Sequence, residues 1–232
     1  MYESGAIIRG DTTAKKLAIV FTGDEFADGA ASIIQTLAKE NIKAAFFFTG
    51  RFYNNTAFAS SIKQLKKQGH YLGAHSNDHL LYAPWEKRDS LLVSQKTFSD
   101  DLGKNYAAMK KYGIEKKEAL FFLPPYEWYN DSIAAWTTQL GLQLINYSPG
   151  TISHADYTWP ELKNYRSSQT IFSSIKNYEA KNSKGLNGFI LLLHIGTDPR
   201  RSDKFLTQLP KLLKWLKEEN YQFERIDELL RE

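Results

Sequence analysis

The 232-residue chain has no cysteine, only two methionines and only five histidines. Without cysteine, disulfides and thiolate chemistry are excluded, and the redox compartment is not indicated. No apolar run approaches the length of a membrane span, because the strongest, Phe189–Leu193, is only strand length. Excess charge is also scarce. The formal net charge is +4, the lysine doublets at 66–67, 110–111 and 116–117 fall at helix ends or in turns, and no continuous basic stripe argues for nucleic acid. Met1–Gly5 does not read as a secretory signal peptide, which leaves room for a leader or a further domain upstream. What is present, 42% hydrophobic and 24% charged residues, is ordinary for a globular chain long enough to bury a substantial core.

Continuous apolar runs of strand length recur along the chain: Leu17–Phe21, Ala44–Phe48, Tyr71–Ala74, Ala119–Leu123, Leu142–Ile145 and Phe189–Leu193. Such runs predict parallel strands buried on both faces. Helical patterns lie between them, at Gly29–Glu40, Phe58–Lys67, Ser90–Tyr112, Ile133–Leu140 under an Asp131 cap, and Phe205–Asn220, with a further helix around Ser167–Asn177. Tyr221–Phe223 with Ile226 reads as a last strand. Alternation of strand and helix without a composition break predicts an α/β fold in one domain, with parallel strands and right-handed crossovers. No Gly-x-Gly-x-x-Gly follows the first strand, which favours a barrel over an open dinucleotide-binding sheet. Residues 1–14 are set off as an N-terminal extension and residues 15–232 as the domain.

In a barrel the loops after successive strands converge on one rim. After the first strand comes Thr22–Gly29, with carboxylates at Asp24, Glu25 and Asp28. After the third comes the pair His75 and His79, four residues apart, a spacing that lets two imidazoles close on one divalent ion. Pro124-Pro125-Tyr126 follows the next strand, and His194 follows Phe189–Leu193. A carboxylate with two imidazoles gives a metal site with open positions, and a histidine across the rim could protonate a leaving group, so the pattern points to metal-assisted hydrolysis. Aromatic residues make up 14% of the chain, and Trp128, Tyr129 and Trp159 suit either the apolar faces of sugars or ordinary packing. His70 is read as structural.

The segments Asn41–Phe48, Gly69–His79, Phe121–Tyr126 and Ile190–His194 resemble the polysaccharide deacetylases of carbohydrate esterase family four. The resemblance runs from about Lys15 to His194. It implies a distorted (β/α)7 barrel that removes N- or O-acetyl groups from a poly- or oligosaccharide, and a location outside the cytoplasm. It also implies an Asp-His-His-bound divalent ion, most often zinc, with cobalt, nickel or manganese as alternatives. On this chain Asp24, His75 and His79 would be the ligands, His194 the general acid, and the Tyr126 N–H an oxyanion donor.

Two departures from the family pattern stand out. Counting back from Asn41 with Asp24 as ligand places the general base on Gly23, which has no carboxylate. The arginine that pairs with that base is replaced by Leu123. Losing both partners together avoids a lone buried charge. Glu25 or Asp28 could supply the base, or metal-bound hydroxide could act alone, or the domain could bind glycan without cleaving it. A shifted alignment would instead make Asp24 the base and Glu25 or Asp28 the ligand.

Overall fold

A computed structural model describes residues 1–231; Glu232, the last residue of the expected domain, lies outside them. A short hairpin, β1 (Tyr2–Glu3) and β2 (Ala6–Ile7), precedes the long strand β3 (Lys16–Gly23). Next come α1 (Ala30–Lys39), β4 (Ala45–Phe48), α2 (Gly50–Asn54), α3 (Ala59–Lys67) and β5 (Tyr71–Ala74). The longest helix, α4 (Gln95–Lys110), leads to β6 (Phe121–Phe122), α5 (Asp131–Gln139) and β7 (Gln143–Leu144). Then follow α6 (Ser168–Lys181), β8 (Phe189–His194), α7 (Leu209–Glu218), β9 (Gln222–Phe223) and α8 (Ile226–Leu229).

Every pairing in the seven-stranded main sheet is parallel, in the order β7-β6-β5-β4-β3-β8, with β9 beside the start of β3. The sheet curls into the distorted (β/α)7 barrel of a single domain. Its seam lies between β7 and β8, and residues before Lys15 fill it. Ile7 accepts a hydrogen bond from Asn146 N–H at 2.9 Å, and Gly10 N–H donates to Gly188 at 2.8 Å. The buried Arg9 guanidinium donates to the carbonyls of Asn187 (2.8 Å) and Gly185 (2.7 Å) and to the Tyr178 hydroxyl (2.9 Å).

Alternation along β3 creates two apolar layers. Ala18 and Val20 join Phe47, Ile190 and Leu192 in the barrel interior, while Leu17, Ile19 and Phe21 join Phe46, Phe48 and Leu193 against the helices. Burial on both faces is why the strands read as continuous apolar runs. On the helix side, α1 buries Ala30, Ile33, Ile34 and Leu37, a one-face spacing.

Helix boundaries differ from expectation where caps decide them. The Ser94 hydroxyl accepts from Thr97 N–H at 3.1 Å, so α4 starts at Gln95 and residues 90–94 are irregular. Asn130, not Asp131, caps α5 through Ile133 N–H at 3.1 Å. Ile226 opens the short helix α8 and sends its side chain into the barrel interior instead of extending a strand.

Candidate active site

At the C-terminal rim of the strands lies a cavity of about 790 Å³ whose walls include Asp24, Glu25, His75, His79, Tyr126, Trp128, Trp159 and His194. The histidine loop is organised from beneath by α4. Buried Asp101 accepts from the Ser76 hydroxyl (2.7 Å) and from the N–H groups of Asn77 (2.8 Å) and Asp78 (3.0 Å). One turn further on, Asn105 accepts from His75 N–H at 2.9 Å and donates to the Phe48 carbonyl at 3.2 Å. This clamp holds Ser76 (φ 72°) and His79 (φ 54°) in left-handed backbone, which non-glycine residues adopt at a cost.

The two rings sit 5.1 Å apart between centroids. His75 Nδ1 donates to the Leu123 carbonyl at 2.7 Å, leaving Nε2 as the free lone pair. Burial and the neighbouring His79 hold His75 well below the ordinary imidazole range. Burial likewise brings His79 down to about 4, against the opposing pull of Asp24. Both rings are therefore neutral donors near pH 7.

Across the cavity the Asp156 carboxylate, buried in the loop before α6, accepts from both the backbone N–H (2.9 Å) and ring Nδ1–H (2.6 Å) of His194. Burial opposes a charge on His194, but Asp156 outweighs it, and the net effect raises the imidazole above its usual range. The pair has the geometry of an oriented acid, with Nε2 left as the free ring nitrogen. Asp156 was not among the residues singled out in sequence. Asp198, four residues beyond His194, accepts from Arg200 at 2.9 and 2.6 Å.

The family model described as polysaccharide deacetylase matches residues 9–145, more than half of the chain. The chain belongs to the polysaccharide deacetylase family. It is 29% identical over 219 residues to a peptidoglycan-N-acetylglucosamine deacetylase of Bacillus cereus, spanning 94% of this chain and 89% of that one. Its fold is similar to that of a carbohydrate esterase family 4 pseudoenzyme from Bacillus anthracis (19% identity, TM-score 0.75, 98% of this chain and 69% of that one). It is also similar to that of the chitin deacetylase of Colletotrichum lindemuthianum (18% identity, TM-score 0.74, 100% and 94%).

Asp24, expected as the third ligand, has protein partners of its own. It lines the cavity, but Arg51 of α2 holds both of its oxygens, Nε to Oδ1 at 3.1 Å and Nη2 to Oδ2, and the Thr49 hydroxyl donates to Oδ1 at 2.8 Å. Two imidazoles and a carboxylate are suitable donors for a divalent ion. As folded, however, no three histidine, aspartate or glutamate side chains among the described residues come together as a metal-holding group. The residues present do not make the full centre while Arg51 keeps Asp24.

At Gly23, the base position when Asp24 is taken as ligand, a side chain would not reach the cavity. A Cβ at Gly23 would lie 2.7 Å from Ile195 Cγ2, 2.9 Å from Phe48 Cδ1 and 3.0 Å from Phe52 Cε2, on the helix side and away from the cavity. The inward neighbour is Thr22, whose buried hydroxyl has no hydrogen-bond partner. Of the two carboxylates considered as substitutes, Glu25 sits exposed at the cavity rim. Asp28 is turned away, accepting from Thr197 N–H at 2.8 Å and pairing with Lys204 at 3.0 Å, and it does not line the cavity.

The aromatic expectations divide. Trp128 lines the cavity beside Trp85 (5.6 Å) with Arg88 stacked on it at 4.5 Å, and Trp159 lines it with Arg200 over its face at 3.9 Å. Tyr129 is corrected: it is fully buried, its hydroxyl donates to the Glu3 carbonyl at 3.0 Å, and no sugar can reach it. Among the wall residues that sequence reading left out are Glu127 and His154. His70 is structural, with Nδ1 accepting from Ala44 N–H at 3.1 Å.

Proposed function

We propose that this domain binds an amino-sugar glycan of the kind its relatives deacetylate, in the aromatic-walled cavity at the barrel rim, and hydrolyses it slowly or not at all. The observation that carries this reading is Asp24. With Asp24 as the third ligand, that carboxylate is held at both oxygens by Arg51, and the base then falls on a glycine whose Cβ direction points out of the cavity. A missing base alone lowers the rate by about 10²–10⁴-fold. Trp85, Tyr126 and Tyr157 keep large exposed faces at the rim, as sugar stacking requires. On this reading the domain works outside the cytoplasm; among the described residues no helix is long and apolar enough to cross a membrane.

A second reading, metal-dependent deacetylation, is favoured by the His194–Asp156 pair at 2.6 Å and by the free Nε2 of His75. With Asp24 as ligand it requires Asp24 to leave Arg51, whereas with Glu25 as ligand and Asp24 as base it does not. Calorimetric binding of acetylated chito-oligosaccharides and acetylated xylan, run beside acetate release with added zinc, cobalt, nickel or manganese, separates the two. Binding with no metal-stimulated acetate release is the expected result. Turnover that rises with metal and vanishes in His75→Ala would overturn the first reading in favour of the second.

A further inference from the structure

The loop Pro124–Trp128 turns through two consecutive left-handed residues, Tyr126 (φ 58°) and Glu127 (φ 53°), neither of them glycine. Such backbone persists only where its surroundings enforce it. Here Glu127 N–H donates to Pro124 at 3.1 Å, Trp128 N–H donates to Pro125 at 3.2 Å, and the Asn146 amide donates to the Glu127 carbonyl at 2.9 Å. The result is a glutamate side chain in the cavity wall.

That carboxyl differs from the other carboxylates there. Asp24 is held by Arg51, Asp156 by His194 and Asp198 by Arg200, and Glu25 is exposed to water. Among the described residues the Glu127 carboxylate accepts no hydrogen bond and pairs with no cation. The nearby charge of His194 is already matched by Asp156, and burial pushes the Glu127 carboxyl up to about 7. A desolvated, unpaired carboxyl is costly, and a cation or strong donor removes the cost. Two further polar atoms in the same wall lack partners: the hydroxyl of Thr22, which is 2% exposed and pairs in register with His194, and Nδ1 of His154.

We propose that Glu127, with Thr22 and His154 in the same cavity wall, forms a subsite for a primary ammonium group, that of a 2-amino-2-deoxy sugar, so that the domain reads deacetylated units of its glycan. The inference rests on the glycan-binding reading above and specifies its ligand. An acetamido group offers Glu127 one neutral N–H, whereas an ammonium offers charge and three donors. Charge-assisted hydrogen bonds exceed neutral ones enough to give roughly 10- to 100-fold in affinity. The whole chain carries a formal +4 charge, so general electrostatics work against a polycation and any preference originates in the cavity.

Calorimetry at pH 7 with three tetrasaccharides tests it: fully acetylated chitotetraose, its fully deacetylated counterpart, and cellotetraose, which has a hydroxyl at the same carbon. The wild-type protein should bind the deacetylated tetramer at least about tenfold more tightly than the other two. Glu127→Gln should remove that preference, whereas Asp28→Asn, an equal change of net charge outside the cavity, should retain it. Because the wild-type comparison needs no variant, a Glu127→Gln protein that fails to fold leaves the test intact. Equal binding of all three sugars by the wild type, or a preference that survives Glu127→Gln, overturns the subsite while leaving glycan binding standing. No binding of any sugar overturns both.

Discussion

Replacing Arg51 with alanine should make the rim a better cation site. The guanidinium is nearly half exposed and Asp24 mostly buried, with side-chain exposures of 47% and 19%, so water screens their pair. The pair then contributes at most about 1 kcal/mol to folding, and the variant should remain folded. Metal binding at Asp24 must break that pair and seat a divalent charge roughly 5 Å from a guanidinium. Even at the dielectric constant of water that repulsion is about 2 kcal/mol. Removing both terms should tighten zinc or cobalt binding by roughly 30- to 100-fold. Calorimetry with zinc, and the visible absorption of bound cobalt, read this directly without any turnover, and a second variant, Arg51→Ala with His75→Ala, should lose the gain. Unchanged affinity in Arg51→Ala, within about twofold, would show that the ion pair is not what keeps the centre incomplete.

Other expectations follow from individual contacts. Asp156→Asn should reverse the His194 shift, because burial then acts without its counter-charge, and an NMR titration should move the midpoint from above to below the usual imidazole value. The raised folded-state pKa means that the pair's stabilisation is full below the unfolded value of about 6.5 and fades as pH rises through the folded value, so the two proteins should differ most in acid. Asp101→Ala strands three donors of the histidine loop and should cost about 2–4 kcal/mol in chemical denaturation. Tyr129→Phe removes one buried hydrogen bond, costing about 1 kcal/mol, and should leave glycan affinity unchanged. Trp128→Ala should weaken glycan binding several-fold, and equal affinities in the two variants would contradict their opposite placements.

The barrel was legible because its signals are local and one-sided. Strands covered on both faces must be continuously apolar, as in Leu17–Phe21 and Phe189–Leu193, and helices between them show one buried stripe. The seam was not legible. Ala6, Ile7 and Ile8 are too short a run to announce a role; Ile7 and Ile8 bridge to a segment about 140 residues away, and Arg9 and Gly10 next to them to one about 180 away. The same contrast holds in the site. His75 and His79 are neighbours by spacing, whereas His194 meets Asp156 from 38 positions away, out of a polar stretch with weak pattern. Tyr129 follows Trp128 immediately, but one points into the protein and the other into the cavity, a distinction composition does not carry.

By itself the order of residues determined the α/β class, the rim on which polar groups gather, and the absence of a carboxylate at Gly23. Tertiary structure alone decided what the remaining groups do. Arg51 reaches Asp24 across 27 positions, Lys204 draws Asp28 out of the cavity, and Glu127 enters it on a left-handed turn. Each of these depends on which charges become neighbours once water is removed, and Coulomb energies are set by distances in space that sequence separation does not specify.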